Sequence, residues 1–192
     1  MAYAYVADVK LYRGIASTET DDDSLIEVLL DAAQSQIDAY CDRTFDVTAT
    51  STRYYDAVKD VDGRRLFLDA ECAQIVAITN GDSTTVASTS YTTVPRNETP
   101  YREIVLKSGS SVSWTYDDDP GDAISVRGRW AYGPTIPPAI GQAAVRLAAY
   151  MYAQKDAQVF ETTLFPDAGV MTVPTGMPRD VQELLRPFRK LS

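Results

Sequence analysis

The sequence predicts an α+β fold, a helical core of a long central helix with N-terminal and C-terminal helices, carrying an inserted antiparallel β-sheet or small barrel. Three observations predict it. Helical periodicity occupies both ends of the chain, residues 1–45 and 133–192. Short β-branched and aromatic runs punctuated by turn residues fill 46–132, which we take as one β-rich insertion. Finally, one stretch from Ile136 to Asp156 is apolar around almost its whole circumference.

The elements follow in order. Val6, Val9, Leu11 and Tyr12 give a short helix from Ala4 to Arg13, closed by Gly14 as its C-terminal cap. After a polar connection, Asp22, Asp23 and Ser24 offer N-cap oxygens, with Ser24 and Glu27 at capping-box spacing. Leu25, Ile26, Leu29, Ala33, Ile37 and Tyr40 then repeat at helical intervals and predict a helix over Asp23 to Cys41. Beyond Arg43-Thr44-Phe45, strands are expected at Thr52 to Ala57, Arg65 to Asp69, Gln74 to Thr79, Ser90 to Val94, Tyr101 to Lys107 and Ala123 to Ala131. Asn80-Gly81 signals a tight turn between two of them, and Asp117 to Gly121 another turn.

The long helix has Pro137 and Pro138 in its first turn, where a missing N–H costs nothing, and an Ala-rich interior interrupted only by Gly141. Ile140, Ala144, Leu147 and Met151 form one apolar stripe, with Val145, Ala148 and Tyr152 beside it. Such a helix needs cover on nearly every side. A chain of 192 residues covers one face, so the remaining surface points to other copies of the chain; a core helix of a monomer is the simpler reading. Gln158 to Gly176 shows no helical or strand period yet carries Phe160, Leu164, Phe165, Val170, Met171 and Val173, and a long apolar loop needs cover from its own domain or a neighbour. Pro178 and Asp180 open a last short helix with Val181, Leu184, Leu185 and Phe188, ending in Arg186, Arg189 and Lys190. Pro187 limits its length.

Composition excludes much. A net charge of -9 opposes affinity for nucleic-acid phosphates and for anionic membranes. No signal-peptide or membrane-spanning run is present, so a soluble, cytosol-made protein is expected. Cys41 and Cys72 read as reduced structural thiols. The complete absence of histidine removes Ser-His-Asp and Cys-His catalysis and the commonest zinc and iron ligand sets. Neither Asp21-Asp22-Asp23 nor Asp117-Asp118-Asp119 with Asp122 has the alternating pattern that wraps calcium; they read as a helix cap and a solvated turn. We expect no cofactor, no metal and no catalytic residue. Tyr54, Tyr55, Tyr91, Tyr101, Tyr116 and Tyr132 are expected to fill and edge the sheet.

The order of these pieces resembles a known family. Asp8 to Tyr12 followed by the Asp-rich cap, Leu25 to Ala33, then Ile37 through Tyr40-Cys41-Asp42-Arg43-Thr44-Phe45 is similar to the opening of the head-tail connector (adaptor, or head-completion) proteins of long-tailed bacteriophages. Val126 to Gly133, Pro137 to Ile140, Ala143 to Tyr152 and the terminal Pro178 to Leu185 helix with its basic tail continue the likeness. The resemblance implies a structural virion protein, made in the host bacterial cytoplasm and resident in the neck. It would form a ring homo-oligomer, a dodecamer in the virion, between the portal protein and the next neck or tail component, with the genome DNA passing through its centre without specific binding. Self-association is then expected through Ile140, Ala144, Leu147, Ala148, Met151, Tyr152, Phe165, Val170 and Met171. Portal docking is expected, by analogy of region, at Leu185, Arg186, Phe188, Arg189 and Lys190. The rival reading is a β-sheet glycan- or receptor-binding module using Tyr54, Tyr91, Tyr101 or Trp114; a carboxylate-based enzyme at Asp117 or Asp119 stands third.

Overall fold

The computed structural model describes residues 2–46, 49–157, 162–165, 169–172 and 176–190, the part from 156 to 172 by its backbone alone. Among the described residues, helical periodicity at the two ends becomes four α-helices, and the β-branched middle becomes antiparallel strands, so the chain is α+β. It divides into two compact units, one of Thr44–Thr135 and one of Ala2–Arg43 with Ile136–Ser192.

In the helical unit, α1 (Val6–Arg13) starts where the Asp8 carboxylate accepts the Tyr5 N–H at 2.8 Å and stops at Gly14, whose φ of 71° no side chain would tolerate cheaply. Helix α2 runs Asp23–Cys41, α3 runs Pro138–Ala157 and α4 runs Arg179–Leu185. Helix α3 lies against α1, α2 and α4. That contact buries Ile26, Leu30, Ala33 and Ile37 on α2, Ile140, Ala143, Ala144, Leu147, Ala148 and Ala149 on α3, and Val181 and Leu185 on α4. The alanines let neighbouring backbones approach closely. Gly141 serves the same end, since a Cβ there would stand 3.0 Å from the Tyr3 carbonyl.

Two expectations are corrected here. Asp22 is the N-cap residue of α2, but its side chain makes no cap hydrogen bond. Its carboxylate instead accepts the Tyr152 hydroxyl at 2.5 Å and the Lys155 ammonium at 2.7 and 2.8 Å, tying the start of α2 to the end of α3. The second correction concerns Gln158 to Gly176. Within it, β8 (Thr162–Phe165) and β9 (Gly169–Thr172) pair antiparallel, Thr162 opposite Thr172 and Phe165 opposite Gly169. Strands of four residues are too short to show a period of two, so pattern alone does not reveal them.

The β unit holds two antiparallel sheets. One has the order β1-β7-β4, from Ser51–Tyr55, Ile124–Arg129 and Gln74–Thr79. The other has the order β2-β3-β6-β5, from Val61–Asp62, Arg65–Cys72, Tyr101–Leu106 and Tyr91–Val94. They share one core, with Tyr55, Ile78, Ile124 and Val126 from the first sheet and Leu66, Ile104 and Leu106 from the second, joined by Val86. Asn80-Gly81 does not join paired strands, as the turn signal suggests. The chain reverses there through the Ser83 N–H to Asn80 carbonyl bond, and the returning segment holds on by the Thr79–Thr85 bridge with the Asn80 N–H to Thr84 carbonyl and Val86 N–H to Ile78 carbonyl bonds, while β4 takes β7 as its strand partner. Gly81 is required for another reason: its Cβ would fall 2.3 Å from the Thr115 carbonyl oxygen.

Candidate functional site

For a chain expected to assemble, the site is its surface, and α3 decides how much of that surface is apolar. Ile140, Ala144, Leu147 and Ala148 are at most 1% exposed within the helical unit itself. Their stripe is covered by α1, α2 and α4, so the chain's own fold supplies the cover that the sequence assigns to other copies. Met151 and Tyr152 remain half-buried, the latter holding Asp22. The side chains of Phe165, Val170 and Met171 lie outside the described residues.

Exposed apolar side chains lie elsewhere. Leu11 is 83% exposed, Tyr5 60% and Val28 63%, on the outer faces of the two N-terminal helices. Beside Tyr12 and Arg13 opens a cleft of about 260 Å³ between α1, α3 and α4. On its floor the Arg146 guanidinium donates to the Asp180 carboxylate at 3.1 Å, while its buried Nε finds no acceptor among the described residues.

At the C-terminus the expected docking residues separate. Leu185 is fully buried and anchors α4, so it presents nothing to a partner. Arg186, Arg189 and Lys190 are exposed and Phe188 is half-buried. A turn of 3₁₀ helix, Arg186–Phe188, follows α4, admitting Pro187 because the helix is already ending. The Lys190 N–H then donates to the Cys41 carbonyl at 2.9 Å and the Arg189 guanidinium sits 5.1 Å above the Tyr40 ring, so the tail caps the C-terminal end of α2.

Sequence reasoning missed Lys10. It is 5% exposed, and its ammonium donates to the Asp23 carboxylate at 2.8 Å and to the Ser17 and Glu19 carbonyls. Lys10 thus gathers the whole connection from α1 to α2. Asp22 is held below the usual carboxylate range, chiefly by the Lys155 hydrogen bond and next by Tyr152. Burial pushes both Cys41 and Cys72 up to about 11, which keeps them as thiols at neutral pH.

The residues of the rival binding module do not converge. Tyr91 and Trp114 pack against the β core, and the Trp114 indole N–H donates to the Arg64 carbonyl at 3.1 Å. Of the four, only Tyr54, at 61%, is freely exposed. The Arg64 guanidinium, donating to the carbonyls of Leu106, Lys107, Ser110 and Val112, holds the loop that carries Trp114. The Asp117 to Asp119 turn is exposed, with the Asp119 carboxylate accepting the Gly121 N–H at 2.8 Å. Among the described residues no group of three acidic or cysteine side chains could hold a metal ion, and no helix is long and apolar enough to cross a membrane.

Comparison with known proteins adds to this geometry. The family model described as head completion protein (HCP) matches residues 4–191. No curated protein is similar to the chain. Among solved structures, one chain of "Neck of empty GTA particle computed with C6 symmetry" is similar with a TM-score of 0.59 and 18% identity, over 97% of this chain and 89% of that one. A chain of "Virion of native gene transfer agent (GTA) particle" is similar with a TM-score of 0.56, 18% identity and the same coverage.

Proposed function

The chain belongs to the head completion protein family, and from that premise we propose that it is a structural, non-enzymatic adaptor of the virion neck. In this reading it forms a ring beneath the portal protein and joins the DNA-filled head to the next neck or tail component, with the genome passing through its centre. The observation that carries the reading is the family match across residues 4–191. The likeness of fold to a neck chain supports it. That neck was computed with C6 symmetry, with which twelve copies are compatible.

The burial pattern supports a narrower set of contacts within this reading. With Ile140, Ala144, Leu147 and Ala148 spent on the chain's own core, self-association through the helical unit falls to Met151, to the exposed side chains of α1 and α2, and to the Phe165, Val170 and Met171 segment. Portal docking falls to Arg186 and Lys190, which are exposed and basic in an acidic chain, while Arg189 stays on Tyr40.

The test is the solution mass of the full chain, alone and with the portal protein of its own particle, for the wild type and for Arg186→Glu/Lys190→Glu. The expected outcome is a large closed assembly, alone or on adding portal, which the folded double variant fails to join to portal-bearing heads. A wild-type chain that stays monomeric and ignores the portal overturns the adaptor reading. A double variant that completes heads as well as wild type overturns the docking assignment alone.

A further inference from the structure

Five arginines stand on strands of the β unit, and three of them are paired at home. Arg53 meets Asp69 at 2.6 Å, Arg65 meets Glu103 at 3.2 Å and Arg102 meets Glu71 at 3.8 Å. Arg127 and Arg129, both exposed on β7, have no ion pair among the described residues. Among the arginines on strands of the β unit, these two neighbours on one strand are the ones without an acidic partner among the described residues.

Their setting is the exposed face of a three-stranded sheet. Strand β7 is the central strand of its sheet, and the register places Arg127 between Thr52 of β1 and Ala77 of β4, with Arg129 beside Gln74. Directly opposite residues share a face of the sheet, so Thr52 and Ala77, being small, leave the Arg127 guanidinium clear, and Arg129 is exposed beside Gln74. One row further along the same face is Tyr54, opposite Ser125 and 61% exposed. The face thus offers two cations and one aromatic ring, the composition enriched in protein interfaces.

The same unit carries the complementary shape. Asp117 and Asp118 project from the turn that leads into β7, exposed and outside any hydrogen bond among the described residues. The root of that turn is rigid. Asn80, only 2% exposed, donates through its side-chain amide to the Ser113 carbonyl at 2.8 Å and accepts the Thr115 N–H at 3.2 Å, while the Gly81 N–H donates to the Thr115 carbonyl at 3.1 Å. On its far side the Ala57 N–H donates to the Pro120 carbonyl at 2.8 Å. From the start of β7, Arg127 and Arg129 lie roughly 10 and 17 Å along the strand, so a single copy has its acidic turn and its basic face at separate places.

We propose that the Arg127/Arg129/Tyr54 face of one copy docks the Asp117–Asp118 turn of the next, giving a head-to-tail contact between β units around the ring. The contact rests on the ring reading above and names one of its joints. A basic face and an acidic turn at separate places could also meet twice across a two-fold axis; the ring reading selects the head-to-tail arrangement, in which each copy meets a rotated neighbour and repetition of that rotation closes the ring. Charge complementarity selects a second copy over DNA as the occupant, because the net charge of -9 and the acidic turn on the same unit oppose a phosphate backbone.

The experiment compares assembly mass, with portal protein present where wild type requires it, for four forms of the full chain. These are wild type, Arg127→Glu/Arg129→Glu, Asp117→Arg/Asp118→Arg, and the chain carrying all four changes. Because every altered side chain is exposed, folding is checked by circular dichroism and an unchanged melting temperature. The expected result is a ring at least tenfold weaker for each double variant and restored in the fourfold one, where each joint again meets opposite charge. Rings undisturbed by the arginine reversals overturn the contact, as does loss without rescue in the fourfold chain. Intact rings that only lose retention of duplex DNA would assign the face to DNA instead. A wild type that forms no ring under any condition removes the adaptor reading itself, an outcome distinct from all of these.

Discussion

Lys10 is 5% exposed although it lies between Val9 and Leu11 on a helix whose apolar residues would be expected inside. Leu11, at 83% exposure, stands in the solvent. Helical periodicity read from eight residues leaves the facing direction uncertain by about one position, and here the polar need of the following loop decides it. The Lys10 ammonium satisfies two backbone carbonyls and the Asp23 carboxylate, none of which lies within its own helix. Removing it would leave the carbonyls of Ser17 and Glu19 without their charged donor, so Lys10→Ala is expected to cost about 1.5–3 kcal/mol. Asp23→Asn should cost under about 1 kcal/mol, because the Asp23 side chain is 37% exposed and an amide oxygen still accepts from Lys10. Urea denaturation followed by far-ultraviolet circular dichroism measures both. Equal losses for the two variants would show that the pair, and not the lysine's grip on the backbone, holds the connection.

The helices and most strands were legible because their signals are local. Gly14 closes α1, the i, i+3, i+4 repeat of Leu25 to Tyr40 runs the whole of α2, and the β-branched runs at Gln74 to Thr79 and Tyr101 to Leu106 are strands. What stayed hidden depends on partners distant in sequence. The run Asp21 to Asp23 looks like helix capping, and only the fold reveals Tyr152 and Lys155 at Asp22, some 130 residues away. Likewise, periodicity makes the face of α3 apolar but cannot say that α1, α2 and α4 already cover it. The Asp22 tie has a pH signature. Because its folded pKa lies below the ordinary carboxylate value of 3.8, the stability it contributes is fully present above that value and is lost as pH falls through the folded one. Asp56, held low by the Lys59 and Val58 N–H groups, and Asp82, held low by Thr84, add the same dependence and set a shared background. Thermal melts of wild type and Asp22→Asn should therefore differ at neutral pH and converge below about pH 4. A difference that persists in acid would mean that Asp22 acts through packing and not through its charge.

For the whole molecule the deciding quantity is a charge of -9 that does not respond to pH across the physiological range. No histidine is present to titrate near neutrality, and the cysteines, pushed up to about 11, stay uncharged. The side-chain charge that the proposed ring would present to DNA is accordingly nearly constant from above the carboxylate range to below the lysine range, roughly pH 5.5 to 8.5. In the ring proposed above, walls whose charge stays negative near neutral pH would not become adhesive to a passing genome. The cations best placed to spoil this are Arg127 and Arg129, the unpaired pair on an open sheet face. If the acidic turn of a neighbouring copy covers them, assembly itself removes the basic patch, and the ring is less adhesive to DNA than the sum of its subunits. Assembled ring mixed with linear duplex at about 0.05 M salt, where phosphate contacts are strong, should therefore leave DNA mobility on a gel unchanged at both pH 6 and pH 8. Retardation at both values would place exposed basic residues in the path proposed for the genome; retardation at the lower value alone would require a side chain titrating near neutrality, and the chain has no histidine to supply one.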